Sequence, residues 1–349
     1  MMRHENAGRK CGSVLILTLW TLLLLCLVAA ALGSHVSTRL AVAWDLSNRS
    51  VCYYAAKAGV EAAIAEVKQG TNGSGSIARA WHDNPPAMKD IAVGAGIFTV
   101  FHTVRNGDGT VQTNYGVADE SGKVNINEVT NAAVCELVKS LLRTAGGVDE
   151  TAAESIAACM SDWIDSDDQP GENGAESSHY AAQSPPYECH NGRLDRVEEL
   201  LLVKGMTAGI FTGISDRITV YGTNGGVNIN TADPVILRAL AGTRKDTQAA
   251  DAEGFVRKVL EFRAGGNILA SLDRRKVRTL LFGDAEMSSS ERGQWAVMEW
   301  LLNHRLISVH SRYFCGTSNG RVARGSAVEK QIAFVFDSES GEMKVWNEE

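Results

Sequence analysis

The residues best able to do chemistry lie in one short run. Asp165-Ser-Asp167-Asp168-Gln-Pro-Gly171-Glu172-Asn-Gly-Ala-Glu176 puts five carboxylates into twelve positions. Calcium takes six to eight oxygen ligands, often carboxylates on a flexible loop. With Asp165 as position one, Asp167 is position three and Glu176 position twelve, as in an EF-hand loop. Gln169 and Pro170 then occupy positions five and six, where that loop needs a Gly turn, so this is not an EF-hand. The spacing allows two readings. One is a calcium loop built from Asp165, Asp167, Asp168, Glu172 and Glu176; the other is a solvated acidic loop.

Catalytic patterns are missing from the sequence. It has no Gly-x-Ser-x-Gly and no His-Glu-x-x-His. Five residues separate Gly116 from Gly122-Lys123, and Val124 follows where a P-loop needs Ser or Thr. His102, His179, His190, His304 and His310 are scattered without paired Cys spacing. The chain therefore reads as a non-enzyme. Its net charge of -7 gives no general electrostatic footprint for nucleic acid.

The elements that must position the acidic run begin at the membrane. The chain has 349 residues, 44% hydrophobic and 21% charged, an ordinary globular composition. From Cys11 to Thr38 there is no Lys, Arg, Asp or Glu, and Ser13–Leu32 is almost wholly apolar. As a helix that segment spans roughly 30 Å, the hydrocarbon thickness of a bilayer. Arg3, Arg9 and Lys10 ahead of it predict a cytoplasmic N-terminus, with the chain after about residue 33 outside. A cleaved secretory signal would have a shorter apolar core, and a lipoprotein signal would want a small residue where Leu25 precedes Cys26. The third reading is a membrane anchor cut on its cytoplasmic side, between Gly12 and Ser13. The residues that follow favour it. No Pro interrupts Ser34–Gln69, and Val36, Leu40, Trp44, Val51, Ala55, Ala58, Ala62 and Ala65 form a helical stripe. Gly70-Thr-Asn-Gly-Ser-Gly-Ser76 then ends the helix.

Gly96–Arg105 reads as a strand, Asn106–Gly109 as a hairpin turn and Val111–Ala118 as the partner strand. Val-Asn-Ile-Asn occurs at 124–127 and again at 227–230, each time before an apolar helix, which suggests a duplicated helical unit. Ile307–Cys315, Arg321–Phe336 and Glu342–Trp346 read as a meander, with turns at Thr317–Gly320 and Asp337–Gly341. Cys135, Cys159, Cys189 and Cys315 lie in the outer region, where four Cys allow three complete pairings. Gly146-Gly147 should turn one helix back on the next. That sets Cys135 and Cys159 level, either as a disulfide between unusually close helices or as two buried thiols.

The basic leader ending in Gly12, followed by Ser13-Val-Leu-Ile-Leu17, resembles the type IV pilin and pseudopilin family. Most members begin with Phe or Met after the cut and carry Glu at the fifth mature position, where this chain has Leu17. Among type II secretion pseudopilins, lack of that Glu marks the large minor branch called GspK. Residues 162–206 are similar to a run in that branch: Asp-Trp-Ile-Asp with further acids, Gly-Ala-Glu, a Tyr, Pro-Pro-Tyr, then an apolar helix reaching Val-x-Gly-Met.

The resemblance implies an α+β fold: a long N-terminal membrane and stalk helix packed on a small antiparallel, pilin-like sheet, with a large helical domain inserted between strands. The expected layout is a prepilin leader over 1–12, the transmembrane and stalk helix over 13–69, and first strands over 70–120. The helical insert covers 121–306 and the second strands 307–349. The resemblance further implies cleavage by a prepilin peptidase, a single pass of the bacterial inner membrane with the bulk periplasmic, and calcium in the helical domain. The implied partners are other minor pseudopilins in a tip complex and the major pseudopilin, with no nucleic acid. The rival reading is a membrane-anchored, extracytoplasmic helix-hairpin-helix module for DNA. It rests on Asn228-Ile-Asn-Thr-Ala-Asp233 before a helix, although neither the turn at Leu240–Asp246 nor that at Val203–Gly209 has the Gly-x-Gly spacing that grips phosphates.

Overall fold

The structure is a computed structural model that describes residues 11–71, 81–105, 110–222, 226–323 and 328–349. The leader through Lys10, most of the Gly70–Ser76 helix stop and the Asn106–Gly109 turn lie outside the described residues.

A single helix, α1 (Cys11–Thr71), runs from the apolar segment into the body of the protein. Leu15, Leu17, Trp20 and Leu25 on its first half are all exposed. Among the described residues this is the one helix long and apolar enough to cross a membrane. On its second half Cys52, Ala55, Ala56, Val60, Ala63 and Val67 are buried. The buried stripe sits beside the one read from the sequence: Ala55 is shared, but Ala58 and Ala62 are half-buried and Ala65 is exposed. Close approach of backbones sets the difference. A Cβ on Gly320 would overlap the Cys52 carbonyl oxygen, and one on Gly59 would overlap Ser318 Oγ. Ser318 Oγ in turn donates to the Ala56 carbonyl at 2.7 Å.

After the short helix α2 (Pro85–Met88) come β1 (Ile91–Val93), β2 (Gly96–Arg105), β3 (Val111–Asn114) and β4 (Ala118–Asp119). The chain then leaves for the insert through β5 (Val124–Asn125), β6 (Ile218–Thr219), β7 (Val227–Asn228) and β8 (Ile307–Ser308). It returns as β9 (Tyr313–Val322), β10 (Glu329–Asp337) and β11 (Met343–Glu348). The main sheet has the order β1-β2-β9-β10-β11, with β3 against β2 and β4 against β9. Phe98, Val100, Phe314, Ile332, Phe334 and Phe336 form a core with the buried stripe of α1. Thr317–Gly320, read as a turn, is the middle of β9, because Ser318 and Gly320 face the helix. Ile307–Ser308 leaves the meander to pair with β7 in parallel.

The insert has two units built alike. Each Val-Asn-Ile-Asn opens with a two-residue parallel bridge, β5 with β6 and β7 with β8. In the first unit Asn127 Nδ2 donates to Leu194 O at 3.0 Å, and Leu194 N–H donates to Asn127 Oδ1 at 2.7 Å. Asn230 makes the same pair of bonds with Leu269, at 2.9 and 2.8 Å. The first unit carries α3 (Ala132–Thr144), α4 (Glu150–Ile164), α5 (Ser177–Tyr180) and α6 (Ala208–Ile214). The second carries α7 (Pro234–Ala241), α8 (Ala249–Ala264), α9 (Arg274–Phe282) and α10 (Ser289–Asn303). Caps fix the starts: Asn131, Asp149 and Asp233 each accept from an amide of the first turn, and Pro234 occupies N1 of α7. The helices share a second core that includes Leu137, Met160, Leu240, Phe255 and Met298.

Candidate metal centre

The acidic run leaves the end of α4 and folds back over it. Asp165 caps the C-terminus of α4, its N–H donating to Ser161 O. The Asp167 N–H donates to Asp165 Oδ1 at 3.3 Å, and that of Gln169 to Asp167 Oδ1 at 2.9 Å, so the first side chains shape their own turns. The loop then crosses Asp162, which accepts from Gly171 N–H at 3.2 Å. Gly174 is required there, because a Cβ at that position would overlap Asp162 Oδ2. Asn173 adopts the left-handed region at φ 66°, and the chain re-enters helix at Ser177, directly after Glu176.

This path brings three carboxylates together. One oxygen each from Asp162, Asp165 and Glu176 lie within 4.8 Å of one another. Asp162 is 4% exposed and Glu176 2%. Neither oxygen of Glu176 has a nitrogen or oxygen partner within the protein, and the Cys189 thiol is the polar group beside it. Burial pushes the pKa of all three upward, and repulsion from neighbouring carboxylates, Asp167 among them, adds to it. Buried, crowded carboxylates either take up protons or share a cation. A hard divalent cation such as calcium suits an all-oxygen donor set of this kind, with the rest of its shell from backbone carbonyls and water.

The sequence-derived ligand set is thus only partly assembled. Asp165 and Glu176 belong to the cluster. Asp167, Asp168 and Glu172 are exposed; Asp167 and Asp168 instead accept backbone N–H groups of Gln169 and Ser177. Asp162 was missed. Its signal was present, since Asp162 and Asp165 are three apart and so lie on one face of a helix. Beneath the loop, Trp163 meets Tyr180 edge-on at 4.8 Å, and Tyr180 stacks obliquely on Tyr187 at 5.3 Å.

Cys135 and Cys159 are both free. Cys159 is buried and turns toward the acidic loop, with its Sγ 3.6 Å from Asn173 O. Gly12 and Ser13 fall within the backbone of α1, and Leu17 is 66% exposed on it.

A long apolar helix that is a candidate membrane span and continues into a stalk, a small antiparallel sheet and a helical insert between its strands define a pilin-like class of fold. The family model for type II secretion system (T2SS) protein K matches residues 122–223. The chain is 27% identical over 229 residues to type II secretion system protein K of Pectobacterium carotovorum subsp. carotovorum, covering 64% of this chain and 67% of that protein. It is 37% identical over 89 residues to the Klebsiella pneumoniae protein of the same name, covering 25% of this chain and 27% of that one. Among solved structures it is similar to one described as the GspK-GspI-GspJ complex from the enterotoxigenic Escherichia coli type 2 secretion system. The TM-score is 0.59 at 17% identity, covering 90% of this chain and 99% of that chain. These matches make type II secretion system protein K the family this chain is similar to, with the family model falling in the helical insert.

Proposed function

We propose that this chain stands at the tip of the type II secretion pseudopilus and primes its assembly for export of folded proteins across the outer membrane. The observation that carries the reading is the insert: a helical body with its own core, hung between the strands of a stalk-and-sheet subunit. A body of that bulk does not stack inside a fibre and is tolerated at its end. Leu17 points the same way. A carboxylate deep in the bilayer costs about 2.5 kcal/mol or more unless a partner offsets it. In pilin-like fibres the fifth-position Glu is thought to meet the N-terminal amine of a neighbouring subunit; the first subunit has no neighbour above it, and Leu17 avoids the cost.

On this reading a prepilin peptidase cuts between Gly12 and Ser13, and α1 crosses the inner membrane once. Its N-terminus is cytoplasmic and the bulk of the chain periplasmic. The partners are two other minor pseudopilins, as in the E. coli complex, and then the major pseudopilin. Calcium is held by Asp162, Asp165 and Glu176, where it neutralises the crowded carboxylates and pins the loop to α4. The DNA-binding alternative finds no support in the hairpin at 240–246, because Gly242 packs against Ser140 of α3 instead of offering its backbone to a phosphate.

Co-expression of the full chain with the two minor pseudopilins of its own secretion system tests the proposal. A ternary complex that survives detergent extraction and gel filtration is expected. A chain that elutes alone while its two partners pair with each other would overturn it.

A further inference from the structure

The core under the sheet and the core of the insert are separate clusters. Between them lies a cavity of about 990 Å³, lined from the sheet side by His102, Thr317 and Val335 and from the insert by Asp233, Ile236 and Arg263. The two cores do not pack on one another across that space, so contacts at the neck where the chain leaves and returns bear on how the insert sits.

Asp119, only 7% exposed, is at the centre of the neck. It is the last residue of β4 before the insert. Its Oδ2 accepts from Ser311 Oγ at 2.6 Å, Thr231 Oγ1 at 2.7 Å and Asn228 Nδ2 at 3.0 Å, and its Oδ1 accepts from Ser121 N–H at 2.9 Å. Ser311 lies where the chain returns between β8 and β9. Asn228 and Thr231 open the second helical unit. Three segments far apart in sequence therefore converge on one carboxylate. The N–H of Arg312 closes the neck further by donating to Ser121 Oγ at 3.1 Å. Gly122 lets Thr231 come this close, since a Cβ there would lie 2.7 Å from Thr231 Oγ1. The joint is also crossed by the exposed Arg105–Asp216 ion pair, of the kind that adds little, by Arg217 Nη2 donating to Arg105 O at 3.3 Å, and by the rings of Tyr221 and Tyr313, 5.8 Å apart.

We propose that Asp119 is the positioning residue that sets the orientation of the helical insert on the pilin-like sheet, by tying the departing strand, the returning strand and the second helical unit to one carboxylate. The residue stabilises the angle between two bodies that each have their own core. Its loss should therefore widen the range of that angle before it unfolds either body.

Distance measurement across the joint tests this on the full chain in detergent. Spin labels are placed through non-natural amino acids at Lys57 on α1 and Arg257 on α8, both exposed, so that the native thiols stay untouched. The unaltered protein should give one narrow distance distribution. Asp119→Ala should at least double its width with helix content unchanged, and Asp119→Asn, which keeps one acceptor oxygen, should fall between the two. Gly122→Ala keeps the carboxylate but displaces Thr231, and should shift the mean distance. An Asp119→Ala distribution as narrow as the parent and centred on the same distance would overturn the proposal. Should that variant fail to fold, Ser311→Ala and Thr231→Val each remove a single donor. Broadening in these supports the proposal, and parent-like distributions in both refute it.

Discussion

His102 makes the stability of the sheet domain depend on pH, with a sign and a size that can be worked out. It lies on the buried face of β2, 7% exposed, with its ring 4.6 Å from that of His82 and its ring nitrogens shut off from solvent. Burial pulls its pKa from 6.5 to about 4, and the charges of His82 and Lys123 push the same way. The unfolded chain thus takes a proton near pH 6.5, while the folded chain resists until about pH 4. Stability from this group is complete above pH 6.5, falls through that window, and is fully lost below it. Each pKa unit corresponds to about 1.4 kcal/mol, so the loss is about 2 kcal/mol near pH 5 and about 3 kcal/mol near pH 4. The carboxylates of the acidic loop, whose pKa values are raised, act with the opposite sign, so the comparison must be made against a variant. Urea unfolding of the full chain in detergent near pH 7 and pH 5 supplies it. The parent should lose about 2 kcal/mol more than His102→Phe, which cannot charge. Parallel pH dependence in the two proteins would refute the reasoning.

Chelation should lower the melting temperature of the insert and added calcium should restore it, the bound ion contributing about 2.7 kcal/mol of stability at about a hundredfold excess over Kd. Calorimetry should find Asp162→Asn insensitive to both treatments and Asp167→Asn close to the parent, since only Asp162 belongs to the buried cluster. Gly320→Ala should cost about 1–3 kcal/mol in urea unfolding, because its Cβ would strike the Cys52 carbonyl and part α1 from β9. Gly12→Val should leave the precursor uncut but inserted, read as a mass larger by the leader in the membrane fraction.

The parts of the fold legible in the sequence were those with local causes. β2 runs from Gly96 to Arg105 as its β-branched and aromatic pattern indicates, and Gly341 at φ 75° turns the chain after Asp337 as the Gly-containing segment suggests. The duplicated Asn motif marked two units, but the use of its second Asn to pin Leu194 and Leu269 needed the folded chain. What failed was set by distant partners. The α1 stripe was misplaced because an Ala-rich helix has no strong face of its own; Gly59, Ser318 and Gly320 choose it. The same contacts turned an apparent Thr-Ser-Asn-Gly turn into the middle of a strand. In the acidic loop the carboxylates densest in sequence, Asp167, Asp168 and Glu172, are exposed, whereas the buried Asp162 precedes the run and sits inside the helix.

The claim that matters most is the place of this subunit in the fibre. Counting it directly, by immunogold or a tagged copy on pseudopili assembled from the complete secretion system, tests that claim. About one copy per fibre is expected, at the membrane-distal end, with Leu17→Ala assembling normally. Regular labelling along the fibre length would contradict it.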